Sequence, residues 1–169
     1  MLWQPTLSSD LLELRPLLPN DWDALYAAAS DPLVWALHPE PTRHQADVFR
    51  KYFDGALESH GALVVEDVAT GSVIGSSRFT GHREESRSVE IGYTFLVCTH
   101  WGGTTNRDLK TLMLSHAFTL VDTVWFVVGE KNWRSRRAME KIGGTLYSGP
   151  DAPRSPAHVV FRIDRPRVA

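Results

Sequence analysis
Cysteine is nearly missing from this chain. Cys98 stands alone among 169 residues, so no internal disulfide can close and no cysteine cluster can hold a metal. The seven histidines show no His-x-x-x-His or comparable ligand spacing, so no metal site is expected. No apolar run approaches the roughly 18 residues of a membrane span. The opening residues, MLWQPTLSSDLLELRP, lack a basic start followed by an apolar stretch, so no secretory signal is expected either. Those absences make a cytoplasmic protein with no membrane partner the expectation. Neither sign of charge dominates: 18 Lys and Arg oppose 20 Asp and Glu, for a net charge of −2. A general nucleic-acid binder would show a basic excess. Repeats, linkers and low-complexity tracts are also absent. The length favours one domain over residues 1–169.

What is present is a series of punctuated apolar segments. LLELRPL at 11–17 reads as a strand. Asn20 or Asp21 can cap a short helix carrying Trp22, Leu25, Tyr26 and Ala29 at helical spacing. Residues 31–42 hold three prolines and read as a loop. Thr42, with Gln45 as capping-box partner, opens a second helix with the stripe Phe49, Tyr52, Phe53 and Ala56. Residues 62–68 and 73–79 flank ATGS and read as a hairpin. In 87–97, Val89, Ile91, Tyr93, Phe95 and Val97 alternate with Glu90, Gly92, Thr94 and Leu96. Leu109, Leu112, Met113, His116, Ala117 and Leu120 mark a long helix, with Thr105 and Asp108 as its capping box. His116 on that stripe reads as a satisfied core histidine. TVWFVV at 123–128 is a central strand. A helix over 132–142 is capped by Asn132 and stopped by Gly143 and Gly144, and AHVVFRI at 157–163 is a last strand. Antiparallel strands followed by strand–helix–strand–helix imply an α+β fold with a mixed sheet.

Residues 101–143 carry the chemistry. The Gly102–Gly103 pair opens a helix, and free N–H groups at such a start attract anions. Asn132 and Ser135 share a face of the next helix. Together they point to a cofactor bearing a diphosphate, with the reaction at its far end.

This order resembles the GNAT superfamily of acyl-CoA-dependent N-acetyltransferases, and within it the branch of the ribosomal-protein N-terminal acetyltransferases. The resemblance runs from the LRPL strand to the VVFRI strand and is most specific over 90–143. Trp101 and Gly102 match the start of a Trp-Gly-x-Gly-x-Ala form of the family's acetyl-CoA loop. Thr104 and Asn106 stand where Gly and Gly/Ala are usual. Asn132, Ser135, Glu140, Lys141 and Gly143 match the Asn-x-x-Ser…Glu-Lys-x-Gly helix. Met139 replaces a tyrosine that serves many members as an acid.

The resemblance implies a mixed, mostly antiparallel sheet of about six to seven strands, flanked by about four helices, with a splayed strand pair that holds CoA. It implies acetyl-CoA as cosubstrate, no metal, and an amine acceptor, either a small molecule or a peptide N-terminus. A homodimer is compatible with this branch. The pantetheine arm is expected along the backbone of Phe95, Leu96 and Val97. The diphosphate is expected at Gly102, Gly103, Thr104, Thr105 and Asn106, with Asn132, Ser135 and Arg137 also against the cofactor. Glu90 is the expected base, since an amine with a pKa of about 10 must shed a proton near neutrality. Ser135 is the expected acid toward the CoA thiolate. Trp35 and His38 fall where the family shapes its acceptor pocket. The plainer readings are that Glu90 faces solvent, that Asn132 only caps its helix, and that the arginines are solvated. An alternative function on the same fold is an acyl-CoA-binding module without turnover.

Overall fold
A computed structural model describes residues 2–153 and 156–166. Its strands are β1 (Leu7–Ser8), β2 (Leu12–Pro16), β3 (Ala62–Asp67), β4 (Val73–Arg83), β5 (Ser88–Leu96), β6 (Thr123–Gly129), β7 (Thr145–Leu146) and β8 (His158–Asp164). They form one sheet in the order β1-β2-β3-β4-β5-β6-β8-β7. Every neighbouring pair is antiparallel except β5 with β6. Five helices accompany them: α1 (Trp22–Ala29), α2 (Pro32–Trp35), α3 (Ala46–Glu58), α4 (Thr105–Leu120) and α5 (Trp133–Lys141). The α+β class and the mostly antiparallel sheet are those expected. The additional strands are the two-residue pieces β1 and β7, too short to carry a periodic signal.

Both faces of the sheet are covered, and β3 records this directly. Leu63 and Val65 pack with Leu109, Met113 and Ala117 of α4. Ala62 and Val64 pack with Leu25 of α1, Trp35 of α2 and Phe49 and Phe53 of α3. A strand buried on two faces needs apolar residues at every position, which is how ALVV reads. The hairpin after it closes through Gly71 at φ +68°, a left-handed backbone that glycine adopts without cost.

Local chemistry departs from the sequence expectation at four helix starts. Asp21 sits at the N-cap of α1 without a side-chain cap bond, its carboxylate accepting instead from Arg15 and the Leu18 N–H. Residues 31–42 are not wholly a loop. Asp31 accepts the N–H of Leu33 and starts α2, with Pro32 in its first turn. Thr42 does not open α3, because Pro41–His44 form a separate 3-10 turn and α3 begins after Gln45. The Thr105–Asp108 capping box is not formed. Thr104 occupies the N-cap without a side-chain bond, and the Asp108 carboxylate instead accepts the hydroxyl of Ser9, the residue after β1. A tertiary partner has outcompeted the local cap.

Candidate active site
The parallel pair β5–β6 is short. Ser88, Val89 and Glu90 face Thr123, Val124 and Trp125, and pairing stops there. Beyond that point the strands separate around a cleft of about 710 Å³. The cause is written in the β4–β5 register. Arg78 faces Gly92 and Ser76 faces Phe95, so Ser77 alone opposes both Tyr93 and Thr94. This is a β-bulge, and a bulge bends its strand and sharpens the twist. Tyr93 takes φ +53°, a left-handed backbone that costs a non-glycine residue about 1–3 kcal/mol. Compensation is visible: the Tyr52 hydroxyl donates to the Tyr93 carbonyl at 2.5 Å, and the Arg78 guanidinium lies 4.2 Å from the Tyr93 ring centroid.

The bulge also corrects the expected alternation. Val89 and Ile91 belong to the core facing α4. Phe95 belongs to the opposite core, against Trp35 and Phe49, while Leu96 returns to the α4 side. One extra residue has reversed the parity of every side chain after it. Phe95 and Leu96 line the cleft. Val97 does not line it, and its N–H is already donated to the Ile74 carbonyl.

At the open end, Gly102 at φ +75° makes the turn into α4. Gly102, Gly103, Thr104 and Asn106 line the cleft, and Thr105 does not. With no side-chain cap, the first N–H groups of α4 are left for an external acceptor. Arg107, Lys110, Arg134, Arg137 and Lys141 also line the cleft, and no Asp or Glu among the described residues does. In a chain of net charge −2, this concentrates positive potential in one place. Trp101 bridges the opening: its Nε1 donates to the Leu96 carbonyl at 2.9 Å, and the Arg134 guanidinium lies 3.7 Å from its ring centroid. Arg134 in turn reaches the Val34 carbonyl of α2.

Asn132 caps α5, its Oδ1 accepting the Ser135 N–H at 3.1 Å. Both residues, with Arg137 and Met139, line the cleft wall opposite β5. Arg137 lies 5.3 Å from the Trp133 ring centroid.

Glu90 occupies the last paired position, beside Trp125 on β6 and Thr80 on β4. Burial pushes its carboxyl up to about 7, against a smaller opposing pull from Arg83. Its Oε1 lies over Gly92, where an added Cβ would stand 2.7 Å away. Gly92 lines the cleft and Glu90 does not, its carboxylate approaching the cleft only over Gly92. Glycine at 92 therefore leaves room for the carboxylate.

The acceptor side contains an unexpected set of cations. Trp35 is buried, with Nε1 donating to Ala29, and His38 packs edge-on against it. Burial first, then the Arg43 charge, pushes His38 down to about 3, so its imidazole is neutral at any working pH. The Arg43 guanidinium lies 5.4 Å from the Trp35 centroid and 5.3 Å from that of Tyr52. It reaches His38 at 3.1 Å. Arg78 is 6% exposed, bonds the carbonyls of Gly55 and Tyr52, and leaves its Nε without a partner. Among the described residues, neither arginine pairs with a carboxylate.

Lys110 is the other residue that pattern reading passes over. It is 2% exposed and lies on the cleft wall. Its Nζ donates to Thr94 Oγ1 at 2.6 Å and Ser77 Oγ at 3.4 Å. A signal did exist: Lys110 and Ala117, seven apart, share the border of the apolar stripe of α4. His116, expected in the core, is half-buried on this helix and bonds the Leu2 carbonyl.

A sheet split by a bulge, with a glycine turn and a cationic cleft beside it, defines a class of protein built to hold a phosphate-bearing cofactor. The family model described as an acetyltransferase (GNAT) domain matches residues 12–145, and the chain belongs to that family, whose members transfer acetyl groups from acetyl-CoA to amines. An acetyltransferase structure from Agrobacterium tumefaciens is 27% identical, covers 95% of each chain and superposes with a TM-score of 0.72. Mycobacterium smegmatis RimJ, in complex with CoA-disulfide, is 20% identical over 96% of this chain and 88% of its own, with a TM-score of 0.69. Vibrio cholerae spermidine N-acetyltransferase, in complex with CoA and spermine, is 18% identical over 91% and 94%, with a TM-score of 0.67. No curated protein matches the chain.

Proposed function
We propose that this protein is a single-domain cytoplasmic N-acetyltransferase that moves the acetyl group of acetyl-CoA directly to a primary amine. The observation that carries this is the cleft: one continuous space joins the uncapped start of α4, five cationic side chains and the bulged strand, and passes Gly92 in front of Glu90. The N–H groups of 102–106 suit the diphosphate. Arg107, Arg134, Arg137 and Lys141 suit the remaining phosphate, with Arg137 on α5 the candidate for it. Asn132 serves as helix cap and presents Ser135 to the same wall. Glu90 takes a proton from the incoming amine. A carboxylate poised near 7 can do so at neutral pH and release the proton again. Ser135 is the hydroxyl in reach of the cofactor from α5.

The acceptor that fits best carries an anionic group besides its amine. Arg43 and Arg78 stand behind that side of the cleft, where Glu40 offsets part of the Arg43 charge and no carboxylate among the described residues pairs with either guanidinium. A polyamine would bring two or more ammonium groups to these guanidinium ions, and like charges in partly buried surroundings repel strongly. A carboxylate would meet the attractive field of the same two residues instead.

The test is acetyl-CoA turnover on matched amines, each amino acid against its decarboxylated counterpart, with spermidine included. Amino acids should lead by at least about tenfold, which is roughly 1.4 kcal/mol. Spermidine or the decarboxylated amines leading would reject the acceptor assignment. Tight acetyl-CoA binding with no turnover on any amine would instead favour the non-catalytic reading.

A further inference from the structure
The closed end of the cleft holds a buried cation that none of the roles above employs. Its position follows from the strand pairing. The last β5–β6 pair is Glu90 with Trp125, and Phe126 is the first β6 residue beyond it. Lys110 Nζ lies 5.6 Å from the Phe126 ring centroid and 2.6 Å from Thr94 Oγ1, on the diverging part of β5. It therefore sits where the strands begin to separate. The glycine turn lies at the opposite, open end, so a cofactor arm anchored there by its diphosphate points its thiol toward Thr94 and Lys110.

The hydrogen-bond arithmetic around Thr94 is informative. A hydroxyl has one donor and two acceptor positions. Lys110 can only donate, so it takes one acceptor position on Thr94. Ser77 Oγ lies 2.7 Å from Thr94 Oγ1 and can take the other. With Ser77 as the donor of that pair, the Thr94 proton is left for the cleft, which this residue lines, apart from a long contact to the Gly92 carbonyl at 3.4 Å. No carboxylate among the described residues pairs with Lys110. Leaving an ammonium buried with neutral partners is costly. A hydroxyl backed by a cation is a stronger donor than a hydroxyl alone. Met139, on the same wall, has no proton to give.

We propose that Thr94, backed by Lys110, and not Ser135, is the proton donor to the sulfur of CoA, with Lys110 supplying the proton through the Thr94 hydroxyl. The proposal rests on the acetyl-transfer reading for the identity of the thiol. In the step, the amine nitrogen bonds to the thioester carbon and loses a proton to Glu90. The carbon–sulfur bond breaks with its electron pair on sulfur. The Thr94 proton passes to sulfur, and a Lys110 proton passes to the Thr94 oxygen. Lys110 is left a neutral amine, which its surroundings favour: burial alone pushes it down to about 7, below the ~8.5 of an ordinary protein thiol. The two groups are therefore matched closely enough for a proton to pass to sulfur. Water restores both proton carriers once the products leave.

The experiment compares wild type with Thr94→Val, Thr94→Ser, Lys110→Met and the Thr94→Val/Lys110→Met pair. Turnover and the pH titration of enzyme-bound CoA, followed by thiolate ultraviolet absorbance, are both read. Thr94→Val should lower kcat by about 100-fold, the size of one lost general-acid contribution, and Thr94→Ser should retain most of it. Acetyl-CoA Kd should stay within about threefold, since the diphosphate contacts are untouched. The double variant should be no worse than the weaker single one, because the two residues form one path. In wild type the bound thiol should titrate at least about one unit below free CoA, and Thr94→Val should abolish that shift. A Thr94→Val enzyme with kcat within threefold of wild type, or an unshifted thiol in wild type, overturns the proposal. If Lys110→Met does not fold, Thr94→Val alone decides. If wild type acetylates no amine, the acetyl-transfer reading falls, and the thiol titration still settles the donor.

Discussion
Glu90, Gly92 and Lys110 are each shaped by burial more than by identity. Glu90 lies above its ordinary range because the charged form is poorly solvated, and its ionisation sets a pH dependence. The folded state holds a proton on Glu90 between about 4.5 and about 7 that the unfolded chain has released. Stability from this group therefore falls as pH rises through that window. Glu90→Gln should lower kcat by about 100-fold. Its melting temperature should also exceed that of wild type at pH 8, with the difference shrinking toward pH 4, as a pH series of thermal melts would measure. Equal melts at pH 8 would mean that the carboxylate is well solvated. Gly92→Ala should cost activity in a related way, since the new methyl would fall 2.7 Å from Oε1; a crystal structure of that variant should show the carboxylate displaced. Lys110 reverses the sign. The unfolded chain keeps its proton to higher pH than the fold does, so this group disfavours folding below about 7, and the disadvantage fades as pH rises toward its ordinary range. Lys110→Met should lose turnover and keep or raise the melting temperature at pH 6, a pattern that marks a residue retained for chemistry.

Among the elements, β5 shows most clearly where pattern reading stops. Its apolar alternation was visible, but an alternating run has no mark for one extra residue. The bulge exists because Ser77 is opposed by two residues, a property of β4 and β5 together. Once it forms, Phe95 joins the aromatic cluster of α2 and α3, and Leu96 joins the core under α4. Deleting Tyr93 should therefore do more than shorten a strand. It would turn Phe95 away from Trp35, a ring contact of 5.1 Å. Loss of a buried aromatic contact of this kind costs on the order of 3–5 kcal/mol, readable as a fall in the urea midpoint. A deletion variant as stable as wild type would mean that the strand re-registers freely. The helix starts teach a related lesson. Asn132 caps α5 as its sequence position implied, because its partner lies three residues away. Asp108 does not cap α4, because Ser9 reaches it from nearly a hundred residues upstream.

The molecule as a whole separates its charges. A near-neutral chain gathers five cations and no acid, among its described residues, into one cleft. Acetyl-CoA affinity should accordingly weaken several-fold between low and physiological salt, because open charges are screened over about 8–10 Å. Calorimetry across that range checks it, and a flat response would mean that few of these cations meet phosphate. Much of this plan was legible in the residues alone. Local chemistry set the strand and helix order, the glycine turn before α4 and the Asn132 cap, since periodicity, turn preference and capping act over a few neighbours. Distant segments had to meet before the rest existed. The cleft needs β5 and β6, over thirty residues apart in sequence, to pair for three positions and then part. The raised carboxyl of Glu90, the paired rings around Arg43 and the buried ammonium of Lys110 behind Thr94 depend on which surfaces lose water. That loss is a property of packing across the chain, and no local pattern encodes it.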